Sequence, residues 1–96
     1  MLRLIVRDKR VALQQSTPRP DRPWDLVYVR TCTTLPEGIY LLSEAEKPRV
    51  ATTYSGQLLA LHDGWAYQLT QDRVLLRHPV ASIGKASVGE VVSVRN

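Results

Sequence analysis

A single cysteine, two histidines and nine carboxylates are the side chains in this 96-residue chain with reactive or metal-binding chemistry. Cys32 as a nucleophile would need a base beside it, but His62 and His78 are remote in sequence, and the residue reads as a small apolar member of a strand. One cysteine excludes an internal disulfide and, with only two histidines, falls short of a structural zinc set. His62 and His78, with Asp63 adjacent, are ligand types without an evident third ligand, so the reading is a packed cluster of His62, Trp65 and His78. The remaining carboxylates are dispersed: Glu44 and Glu46 lie beside a presumed turn, and Asp63 and Asp72 lie within turns. No acid/base pair follows from that spacing. Gly84-Lys85-Ala86-Ser87-Val88-Gly89 lacks the residue order of a phosphate loop and the helix that must follow it. The residues therefore give no catalytic set, metal site or cofactor, and a binding role is the expectation.

Two groups of residues could serve binding. Residues 1 to 36 hold seven Arg/Lys against three Asp, whereas residues 37 to 96 hold six of each sign, so the net charge of +4 lies in the N-terminal third. Arg3, Arg7, Lys9, Arg10, Arg19, Arg22 and Arg30 are candidates for a basic face meeting an acidic protein partner or phosphates, if folding brings them together. Tyr54, Trp65 and Tyr67 are candidates for an aromatic patch able to stack bases, with core filling as the alternative use.

The elements that must position these residues are short strands. Eleven Val, four Tyr, two Trp, five Gly and six Pro favour a mainly β chain, a small strongly bent antiparallel sheet or partly open β-barrel with one or two short helical turns. The length suits a single domain over 1–96. No apolar run exceeds five residues, so neither a membrane span nor a secretory segment can be drawn, and a cytoplasmic protein is expected. Leu2 to Val6 and Val11 to Leu13 flank a charged turn as a hairpin. Residues 16–23 carry three prolines and predict an extended surface loop. Asp25 to Thr33 alternates as a strand, Gly38 to Leu42 is a second, and Ser43 to Glu46 has capping-box spacing for a short helix. Asp63-Gly64 predicts a two-residue type I′ turn that sets His62 opposite Trp65, Leu61 opposite Ala66, Ala60 opposite Tyr67, Leu59 opposite Gln68 and Leu58 opposite Leu69. A further tight turn at Gln71-Asp72 would place His78 with His62 and Trp65. Pro79 to Gly84 brackets a helical turn, and Val88 to Arg95 closes the chain as a strand.

Tyr54-Ser55-Gly56-Gln57-Leu58-Leu59-Ala60-Leu61, Ala66-Tyr67-Gln68-Leu69, Val74-Leu75-Leu76-Arg77-His78 and Val88-Gly89-Glu90-Val91-Val92-Ser93-Val94 together resemble the KfrB domain of broad-host-range conjugative plasmids. The resemblance covers residues 54 to 95 and extends to 38–96 if Gly38-Ile39-Tyr40 is its opening strand; the basic residues 1–36 lie outside it. It implies a small β domain of a mobile element, an accessory protein of plasmid maintenance or transfer with no catalytic site to carry over. Gly56, Gln68 and His78 are its matching polar or special positions. The resulting expectation is a non-enzymatic module that binds a protein partner, with nucleic-acid binding through the basic third, or inhibition of a host defence nuclease, as alternatives. The sequence leaves the oligomeric state open.

Overall fold

Backbone sterics decide where this chain reverses. Asp8 and Lys9 both take positive φ, 51° and 63°, as do Asp63 and Gly64 at 50° and 81°, the conformation of type I′ turns that match the twist of paired strands. The structure, a computed structural model, describes all residues from Met1 to Asn96. The first turn joins β1 (Leu2–Arg7) to β2 (Arg10–Ser16), and the second joins β5 (Thr53–His62) to β6 (Trp65–Thr70). The remaining strands are β3 (Trp24–Thr31), β4 (Gly38–Leu41), β7 (Leu75–Pro79) and β8 (Val91–Arg95), with short 3-10 turns at Leu42–Glu44 and Val80–Ile83. The chain is mainly β; its strands form two four-stranded antiparallel sheets, ordered β3-β2-β1-β4 and β7-β6-β5-β8, and no closed barrel is present. No helix is long and apolar enough to cross a membrane.

The chain divides into two units, Met1–Ser43 and Glu44–Asn96, each containing one sheet. β4, grouped by the resemblance with the C-terminal residues, pairs with β1 in the first unit. There, period-2 alternation is clear: Leu2, Leu4, Val6, Val11, Leu13 and Tyr40 are buried, while their neighbours along each strand are not. The proline-containing segment is closed rather than extended. Thr17 donates its N–H to Pro23 O at 2.9 Å and its hydroxyl to Arg22 O, pinning the loop between β2 and β3. Nor does the capping-box spacing at Ser43 start an α-helix, because the Ser43 hydroxyl accepts the Leu2 N–H at 2.6 Å and Ser43 itself lies within the 3-10 turn Leu42–Glu44.

In the second unit the predicted turn and its first three pairs form, His62 with Trp65, Leu61 with Ala66 and Ala60 with Tyr67. Beyond them the register shifts. Leu58, not Leu59, opposes Gln68, and Gln57 opposes Leu69, because Leu59 is the extra residue of a bulge. The reversal after β6 differs too: Thr70 N–H donates to Val74 O at 3.0 Å, and Arg73 takes φ 61°, so the loop has three residues rather than two. That one extra residue sets His78 opposite Ala66 and Arg77 opposite Tyr67.

At Gly64 an added Cβ would meet nothing within 4 Å, so any penalty at this position is conformational. Replacing Gly64 with Val should destabilise the protein by about 1–3 kcal/mol, because a β-branched residue disfavours positive φ. The midpoint of chemical unfolding measures it, and an unchanged midpoint would contradict the turn assignment.

Candidate interaction face

Antiparallel register puts every second residue of β1 on the outer face of the N-terminal sheet. Across that face the pairs Val29 with Ala12, Ala12 with Ile5 and Ile5 with Ile39 align four apolar side chains in one row. The next row runs Leu26, Gln14, Arg3 and Leu41, and on the other side of the apolar row lie Thr31, Arg10 and Arg7. Ile39 is 65% exposed, Leu26 59% and Val29 53%. Three rows over four strands give a patch about 15 Å wide at the usual strand spacing, apolar at its centre with arginines along two sides. Contiguous exposed apolar surface with a polar border is the usual character of a protein-binding site.

The arginines differ in freedom. Arg3 donates Nε–H to Gln14 Oε1 at 2.8 Å, and its guanidinium lies 3.6 Å from the centre of the Trp24 ring, a cation–π contact that fixes its orientation. Arg7 and Arg10 are directly opposed across the hairpin, and both are exposed. Like charges in that position repel, and the ion pair at the tip, Arg7 with Asp8 at 3.9 Å, is too exposed to offset this appreciably.

The seven basic residues do not share one face. Arg3, Arg7 and Arg10 lie on the outer face, Lys9 at the hairpin tip, and Arg30, paired in register with buried Val11, on the opposite face with its guanidinium 4.2 Å from the Tyr28 ring centre. Arg19 and Arg22 belong to the loop at the far end of β2, roughly 20 Å from the tip at strand rise, and Arg22 pairs with Asp25 at 3.1 Å. The aromatic patch is divided as well. Trp65 and Tyr67 share a face of the C-terminal sheet, with the Arg77 guanidinium 4.8 Å from the Trp65 ring centre, while Tyr67 is buried and its phenol pKa is raised by burial. Tyr54 lies on the other face, where its hydroxyl accepts the Arg49 N–H at 2.8 Å beside a cavity of about 340 Å³ rimmed by Glu46, Lys47 and Arg49.

The His62, Trp65 and His78 cluster does not form. The three-residue loop turns His78 to the opposite face from Trp65 and His62, and no group of three metal-ligating side chains is assembled. Cys32 lies just beyond β3 rather than in the core, its Sγ 3.4 Å from the Thr34 hydroxyl, a hydrogen bond that lowers the thiol pKa.

What the sequence reading missed is a polar network inside the C-terminal unit. Gln68 is fully buried, and its amide hydrogens are shared among Val92 O at 3.0 Å, Gly56 O at 3.3 Å and Tyr54 O at 3.3 Å. Its Oε1 accepts from His78 Nε2 at 2.8 Å, and the Tyr54 ring centre lies 6.1 Å from that of His78. One side chain thereby ties β5, β6, β7 and β8 together. Gly56 makes room for the close approach of β6: a Cβ there would stand 2.2 Å from Leu69 O. The available signal was a polar residue, Gln68, inside an otherwise apolar strand, since buried amides demand partners.

No family model matches the chain, and no curated protein matches it.

Burial holds the His78 pKa below its ordinary 6.5. The unfolded chain then binds the proton more readily than the folded one, so this residue's contribution is intact above 6.5 and is lost as pH falls through the folded-state value. Unfolding free energy should therefore drop on acidification below 6.5, and the His78→Gln variant should lose that part of the slope. Denaturant titrations at stepped pH test it; an identical slope in the variant would refute the assignment. Gly56→Ala should destabilise by about 1–3 kcal/mol or more through overpacking against the β6 backbone.

Proposed function

We propose that this protein is a non-enzymatic interaction module, accessory to the maintenance or transfer of a mobile element as its KfrB resemblance suggests, and that it binds an acidic protein partner. The observation that carries this reading is the hairpin tip Arg7-Asp8-Lys9-Arg10 beside the exposed apolar row. The other two-residue turn uses Asp-Gly, the residues its geometry favours, but here Lys9 occupies the second position at φ 63° between two opposed arginines. Neither choice helps folding. Both concentrate positive charge at one border of an apolar patch, where carboxylates around an apolar ridge would find complementary partners.

Affinity capture from cells carrying a conjugative plasmid, followed by binding measurements on the captured protein, tests this reading. The Arg7→Glu/Arg10→Glu variant should lose at least tenfold in affinity, roughly 1.4 kcal/mol, with its melting temperature nearly unchanged. A Lys85→Glu/Arg95→Glu control of equal charge change should bind almost as well as the parent. Lys9→Gly should gain about 0.5–1 kcal/mol of stability while binding more weakly. Equal losses from the two reversals would remove the hairpin from the interface. A complex abolished by nuclease and weakened roughly 10³-fold between 50 and 200 mM salt would instead identify nucleic acid as the ligand.

A further inference from the structure

Strand edges are the other unspent binding capacity of this fold, and they are treated unequally. In the C-terminal sheet, β7 is covered: Glu46 donates its N–H to Leu75 O at 2.9 Å and accepts the Arg77 N–H at 3.0 Å. In the N-terminal sheet, β3 stands at an edge over eight residues, with neither Pro nor Lys within it to discourage further pairing. Leu26, Val27 and Val29 are exposed along it.

The bulge makes this edge self-complementary. Two hydrogen bonds bracket the pairing of β3 with β2, Thr17 N–H to Pro23 O and Cys32 N–H to Lys9 O. In an antiparallel pair alternate residues direct their backbone groups at the partner. Counting back from Cys32, Arg30 and Tyr28 face β2, leaving Thr31 and Val29 facing outward. Counting forward from Pro23, Asp25 faces β2, leaving Trp24 and Leu26 facing outward. The two counts are out of phase, and Val27, which has no partner in the register between Leu13–Tyr28 and Gln14–Leu26, absorbs the difference. The outward-facing residues Trp24, Leu26, Val29 and Thr31 are consequently symmetric about the point between Val27 and Tyr28.

We propose that β3 pairs antiparallel with β3 of a second copy of this chain, in the register that opposes Asp25 to the second copy's Arg30. In that register Trp24 meets Thr31 and Leu26 meets Val29, so every opposed pair of outward backbone groups can hydrogen-bond. Side-chain faces agree as well: Leu26 and Val29 belong to the outer face and Asp25 and Arg30 to the other. The two-fold axis gives two Asp25–Arg30 ion pairs. A one-residue slip sets outward groups against inward ones, and a two-residue slip opposes Asp25 to Tyr28 or Cys32 and loses both ion pairs. Pairing also continues the apolar row, with Val29 of one copy beside Leu26 of the other.

Sedimentation of the purified protein over a micromolar-to-millimolar series tests the proposal without any other partner, so its outcome is separate from that of the acidic-partner reading. The mass should rise from 10.8 kDa to twice that value. Val29→Pro deletes an outward N–H and leaves the ladder to β2 intact; it should stay monomeric with an unchanged far-ultraviolet spectrum. Asp25→Arg alone and Arg30→Asp alone should each weaken the dimer at least about tenfold. Mixing these two variants, or combining both changes in one chain, should restore it. The proposal is overturned if the parent protein is monomeric throughout, or if Val29→Pro and both reversals dimerise like the parent. Failure of both the mixture and the double variant to recover would overturn it as well. Should Val29→Pro not fold, the charge exchange alone decides.

Discussion

Register is the constraint on which the rest of this protein depends, and short turns and single-residue bulges set it. Side chains alternate across a strand, so a reversal with one more residue transfers a whole strand's side chains to the other face. The clearest case is the loop after β6. Its three residues, closed by Thr70 and Val74, send His78 to the interior beside Gln68; a two-residue turn would have placed it opposite Trp65. Burial of Leu76 and His78, and the exchange of hydrogen bonds between Glu46 and β7, are tied to that choice.

Once register is fixed, the two sheets use polar residues in opposite ways. Inside the C-terminal unit Gln68 satisfies itself on the backbones of β5 and β8 and accepts from His78, giving a buried network in which each bond has a specific geometry. Such a network favours one arrangement of strands over its slipped alternatives, because a displaced amide would be left unpaired in a low-dielectric interior. The N-terminal sheet instead directs its polar residues outward, and one of its faces carries exposed Ile39, Leu41, Leu26 and Val29 with Arg3, Arg7 and Arg10. Folding alone gives no reason for opposed arginines beside exposed aliphatic side chains. The proposed binding of an acidic partner would give one, because both features would be relieved when a complementary surface covers them.

Gly56, Gln68 and His78 acquire a physical connection in the fold. They are separated in sequence, yet the Gln68 amide donates to Gly56 O and its oxygen accepts from His78. Gly56 is required by the approach of the β6 backbone, Gln68 by the carbonyls it meets, and His78 by the acceptor that Gln68 supplies. Together they form a structural unit, distinct from the exposed face of the N-terminal sheet.

Local chemistry was legible in the sequence wherever a residue's own backbone preference decided the outcome. Alternating Val, Leu and Tyr determined the strands, Asp63-Gly64 determined a turn and its nearest pairs, and Pro79 to Gly84 determined a short helical turn. Features that depend on non-neighbouring atoms were decided by tertiary structure. Ser43 was diverted from helix capping by Leu2 N–H, and the bulge at Leu59 displaced the rest of a register counted from the turn. The seven basic residues were plain in composition, but their distribution over two faces, a tip and a distant loop depended on how β2 pairs with its neighbours. Residue types reveal what a side chain can do; only strand pairing determines which side chains meet, because a one-residue offset reverses every face while leaving local propensity unchanged.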